Sequence, residues 1–184
     1  MAGGFFPVNS IGEQGYTGRL VTYYIPASHA SNLTAGDLVI DLAAADATTG
    51  YPECDAATAG GLISGVIVGF LPNVLNLNIS YLPASTAGYA LVAPATNTLL
   101  LKAYVNASGI LTTNVGQNAD IVATACTVVG TSYASPNMVI NGASYGSSTA
   151  QIRIVSLVDG NTGAGAAVLC RINESTVSGT TGVA

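Results

Sequence analysis

The chain has 184 residues, of which only 7% are charged and 49% hydrophobic, so it is one domain's length in which Gly, Ser, Thr and Asn take the place of charge. That balance excludes a disordered chain, which combines high charge with few apolar residues, and four basic side chains in all are too few to track a phosphate backbone, so no nucleic acid is expected as a partner. No membrane association is expected either: the longest apolar stretch, Leu62 to Leu71, is broken by Ser64, Gly65 and Gly69 and falls far short of the roughly 20 residues that cross a bilayer.

Short apolar runs between turn signals, with 22 glycines, 7 prolines and almost no helical periodicity, predict an all-β chain. Residues 1–18 are too glycine-rich to fold alone yet carry Phe5, Phe6 and Tyr16, so they predict an extended N-terminal arm that Pro7 holds straight and whose aromatic rings insert into grooves on neighbouring subunits. The alternative is an extra edge strand on the protein's own β domain. Strands are then expected over 19–25, 37–42, 62–70, 89–92, 99–105, 121–129, 138–140, 151–158 and 167–172, with 43–61 read as a loop that includes at most a short strand. Asp37 to Leu42 alternates polar and apolar, the pattern of a half-buried strand. Gln151, Arg153 and Val155 fall on one face of their strand, with Ile152 and Ile154 on the other. About nine strands without helices between them make residues 19–174 a single β-barrel or β-sandwich, followed by a frayed tail over 175–184.

Little in the chain suggests catalysis. The single histidine, His29, lies in a polar loop without a second ligand or base nearby and reads as a surface residue. No nucleophile elbow is present. Asp37, Asp41 and Asp46 do not have the spacing of a calcium loop, and Asp37 and Asp41 read as solvated charges sharing one face of a strand. The glycine-rich run 160–165 has no phosphate-binding lysine and reads as a turn. The three cysteines, Cys54, Cys126 and Cys170, match neither a disulfide framework nor a metal knuckle, which predicts free thiols, those of Cys126 and Cys170 packed in apolar strands. No catalytic residue, metal or cofactor is expected.

The charge is unevenly placed. Residues 1–60 hold one basic group and six acidic ones, whereas the remainder balances three against three. No charged side chain occurs from Ala56 to Leu101 or from Ile121 to Ile152. Free monomers stay soluble through interspersed charge, so such neutral stretches predict a surface covered by other copies or by another protein. The alternative is a monomer with a neutral polar exterior. A homo-oligomer, trimer or dimer, is expected to form through residues 56–101, with Leu62, Ile63, Phe70, Tyr81, Leu82 and Tyr89 at its interface. The first residues lack the basic and apolar regions of a secretory signal, so synthesis in the cytoplasm is expected.

Residues 81–94 (YLPASTAGYALVAP) resemble a stretch of tailed-bacteriophage head proteins of the capsid decoration, or cement, type. Further segments agree in the same order: Phe6-Pro7-Val8, residues 35–39 (AGDLV), 65–70 (GVIVGF), 115–120 (VGQNAD), 150–154 (AQIRI) and 168–174 (VLCRINE). The family often carries an arginine where Gly88 stands and acidic residues around Val92 to Ala95. The resemblance implies a compact β protein made in the host cytoplasm that binds the major capsid protein at many equivalent positions on the outside of the phage head, where no catalytic residue is required. A tail or head-fibre subunit, or an adhesive protein recognising sugars through Tyr23, Tyr24 and Tyr133, is the competing expectation.

Overall fold

A computed structural model describes residues 3–10, 16, 18–72, 77–146 and 149–176. The chain is all-β. Its strands are β1 (Phe6–Ser10), β2 (Val21–Ile25), β3 (Leu33–Thr34), β4 (Leu38–Ala45), β5 (Pro52–Ala56), β6 (Gly65–Phe70), β7 (Tyr81–Leu82) and β8 (Gly88–Pro94). There follow β9 (Leu99–Tyr104), β10 (Asn118–Ala119), β11 (Ile121–Val122), β12 (Thr127–Val129), β13 (Tyr133–Ser135), β14 (Val139–Ile140), β15 (Ile152–Leu157) and β16 (Ala167–Ile172).

Both architectures expected from the sequence are present in combination. Strands β2, β5, β4, β6 and β8 close into a barrel, in which only β2 and β5 run parallel. Strands β1, β9, β16, β15 and β10 form an antiparallel five-stranded sheet. The two-residue period of a strand divides the apolar residues between two cores. In β4, Val39 points into the barrel with Ile25, Cys54, Ile67 and Val92, while its neighbour Leu38 joins the second core. That core contains Val66 and Ala93 from the barrel strands and Leu101, Ala103, Ile152, Ile154, Val168 and Cys170 from the sheet. The barrel is therefore filled inside and packed outside. At Gly65, where β6 crosses β8, a Cβ atom would lie 2.4 Å from the Ala93 carbonyl oxygen, so glycine lets these strands approach.

The first residues correct the expectation of a free arm. Strand β1 pairs antiparallel with β9, Phe6 opposite Lys102 and Ser10 opposite Leu99, and forms an edge of the sheet. Phe5 is fully buried in the core shared by barrel and sheet. The Gly4 and Phe5 amides donate to the carbonyls of Met138 and Gly36. Gly4 has a φ of +100°, and a side chain there would meet the Pro136 ring at 2.7 Å, so the glycines that suggested an arm serve to thread the chain into its own fold. Residues 1, 2, 11–15 and 17 of the expected arm lie outside the described residues.

Other boundaries shift as well. The expected loop 43–61 does include a short strand, β5 from Pro52 to Ala56, which pairs with β4, and β4 itself runs on to Ala45. The strand expected over 121–129 divides into β11, paired with β14, and β12, paired with β13. The first two residues of the expected tail are held: the Ser175 hydroxyl donates to the Ala95 carbonyl and the Thr176 amide to that of Ile63, while 177–184 lie outside the described residues.

Candidate functional sites

Two concave features and a cluster of tyrosines stand out. The first feature is a surface groove of about 610 Å³ walled by the end of β6, residues 77–82 and the start of β8. Among the described residues no charged side chain lines it. Three of its apolar side chains are well exposed, Val68 and Leu71 at 41% each and Leu77 at 72%. Phe70, Tyr81, Leu82 and Tyr89, expected at an oligomer interface, all line this groove. Tyr81, Phe70 and Tyr89 are half-buried, but Leu82 is directed inward and belongs to the barrel core. A Cβ at Gly88 would meet Leu82 Cδ1 at 2.7 Å, so glycine here accommodates the leucine.

Leu62 and Ile63 lie elsewhere. Leu62 is exposed at 37%, whereas Ile63 is fully buried in the core shared by barrel and sheet and cannot touch another subunit. Of the residues assigned to neighbour binding, Phe6 remains 38% exposed and Pro7 half-buried. Tyr16 packs against the protein's own core and its hydroxyl donates to the Arg19 carbonyl. Phe5 and Ile63 are thus corrected from contact residues to core residues, held inward by the hydrogen bonds of their amides to the Gly36 and Glu174 carbonyls.

The second feature is a pocket of about 550 Å³ where the end of β5 and the residues that follow it meet β11 and the chain before β4. Asp37 lines it and is only 1% exposed, which overturns its expected place as a solvated charge. One carboxylate oxygen, Oδ2, accepts the Thr34 amide at 2.8 Å, closing the turn that leads into β4. The other, Oδ1, has no hydrogen-bond partner. Burial pushes the Asp37 carboxyl up to about 7, against the smaller opposing effect of the Thr34 amide. Gln151 is also fully buried. Its amide nitrogen donates to the Thr58 and Gly61 carbonyls at 2.9 and 2.6 Å, and its oxygen accepts the Ile121 amide at 3.3 Å. It therefore braces two walls of the pocket.

The tyrosine cluster lies on the barrel. Tyr24 and Tyr89 are cross-strand partners with ring centroids 5.4 Å apart, and Tyr51 meets Tyr89 edge-on at 5.9 Å. The Tyr89 hydroxyl donates to Asp46 at 3.2 Å. Among the tyrosines first considered for sugar contact, Tyr23 is only 7% exposed and belongs to the barrel core, Tyr24 joins the cluster, and Tyr133 stands apart at 54% exposure.

His29 is not a surface residue. It is 1% exposed, with Nδ1 2.8 Å from the Ser31 carbonyl and Nε2 2.9 Å from that of Thr86, so it ties two loops together. All three cysteines are free and buried. Burial raises the Cys54 thiol to about 12 and Cys126 to about 11, and also raises Cys170, which leaves them unreactive at neutral pH. Cys126 precedes β12 rather than lying within a strand. Among the described residues no three His, Cys, Asp or Glu side chains come together as a metal site.

No protein-family model, curated protein or solved structure matches the chain.

Proposed function

We propose that the protein is a structural virion component of the capsid-decoration type, made in the host cytoplasm, which binds the outer surface of a phage head and stabilises the lattice of major capsid subunits. It acts without catalysis. The observation that supports this reading best is the uncharged groove over Phe70, Tyr81 and Tyr89, rimmed by exposed Val68, Leu71 and Leu77. An apolar concavity without rim charge is poor monomer surface and good contact surface. Modest contacts repeated around a closed lattice hold each copy strongly, because release at one point leaves the neighbours engaged. The same groove serves contact between copies, as a trimer or dimer.

The tyrosine cluster supports a second reading as a tail or head-fibre subunit that recognises sugars. Tyr51, 41% exposed, stands beside Tyr89 and the Asp46 carboxylate, a combination of ring and acceptor that suits a sugar's apolar face and hydroxyls.

Loss and restoration of the protein separate the readings. Particles assembled without this chain should lose their DNA under osmotic shock, and purified protein added before the shock should restore intact heads. Heads equally resistant with and without it contradict decoration, and loss of adsorption to cells in their place supports the second reading.

A further inference from the structure

The Asp37 pocket combines three properties that together define a ligand. Its acid is buried, and a buried carboxylate oxygen without a donor is a costly arrangement that an incoming donor relieves. Its walls are aliphatic, among them Ala57, Ile121, Ala123, Ala125 and Met138. Its remaining charge has the same sign, since Asp55 also lines it and, among the described residues, no basic one does.

We propose that this pocket receives an ammonium group carried on an unbranched aliphatic stem. The apolar walls take the methylene chain and Asp37 Oδ1 takes the charged tip. A guanidinium fits less well, because its planar fork uses both oxygens of a carboxylate and Thr34 already occupies Oδ2. A metal ion fits less well too, for want of a third protein ligand among the described residues. The net negative charge of residues 1–60 attracts such a cation. A second copy of this chain is a poor source, because its only lysine, Lys102, lies mid-strand between β1 and β16, with its ammonium over the Tyr104 ring. The ammonium comes from a different molecule, either a lysine side chain of another protein or a free alkylamine.

Binding requires the ionised acid. The titratable groups near it are Asp55 in the pocket wall and the Cys126 thiol, which feels the Asp37 charge. Burial holds Asp37 protonated below about 7, so affinity for a permanently charged amine should rise about tenfold per pH unit up to that point and then level off.

The test titrates n-butylammonium into the intact protein across this range, following amide NMR shifts. Saturable shifts confined to Ala57, Ala123 and Ala125, with the stated pH profile and no comparable effect of n-butanol, are expected. Asp37→Asn should abolish them. Ala125→Trp, which fills the exposed mouth and leaves Asp37 in place, should abolish them as well. Lysine capped at both ends separates the sources: if it binds at least as well as butylammonium, a partner's lysine is the ligand, and if it fails while butylammonium binds, a free amine is. Absence of saturable shifts, equal binding of butanol, or undiminished binding by either variant overturns the proposal.

Discussion

Asp37 shows how a single side chain acquires a property from its surroundings. Burial raises its carboxyl from 3.8 to about 7, so the folded protein holds this proton more tightly than the unfolded chain. The associated stability is fully present below the unfolded value, falls as pH rises through the interval, and is lost above about 7. Asp37→Asn should therefore show a flatter pH dependence, its stability relative to the parent rising between about pH 4 and 7. Urea unfolding of both proteins measures the difference, and parallel curves would refute the burial argument. His29 is placed by hydrogen bonds to two loops. Its partner Thr86 lies 57 residues away, a distance that a local polar sequence does not reveal.

At the scale of elements, the N-terminal strand is the sharpest test of packing. Phe5 is buried and Phe6 is 38% exposed, though they are adjacent. Truncation of a buried phenylalanine costs about 3–5 kcal/mol. Phe5→Ala should approach that loss, while Phe6→Ala should cost far less; equal midpoints in chemical denaturation would mean that β1 is not part of the fold. The sequence made β4 and β9 legible because their apolar residues alternate or cluster at the period of a strand, as Leu99, Leu101 and Ala103 do. It left β5 as an unplaced short strand within a loop, because Pro52, Glu53 and Asp55 are poor strand formers that pairing with β4 nevertheless holds in place. It also concealed β3 and β7, two residues each, which exist only because they pair with one another. Within the neutral stretch from Ala56 to Leu101, Phe70, Tyr81 and Tyr89 line one groove. That stretch could not separate them from Ile63 and Leu82, since the inward turn of those side chains depends on strands far away in sequence.

At the scale of the whole molecule, the proposed assembly depends on covering the groove over Phe70, Tyr81 and Tyr89, which no charged side chain lines among the described residues. Leu77→Asp places a charge at its most exposed apolar position without touching either core. Wild-type protein should sediment as a dimer or trimer and the variant as a monomer; a monomeric wild type at high concentration would remove the groove from self-association. The position of the protein in an intact particle bears most directly on the decoration proposal. Cryo-electron microscopy of particles containing this chain should find its barrel and sheet repeated on the outer face of the head, with Val68, Leu71 and Leu77 buried against a neighbouring subunit. Density for the protein confined to the tail, or a head-bound protein with that groove open to solvent, would contradict the proposal.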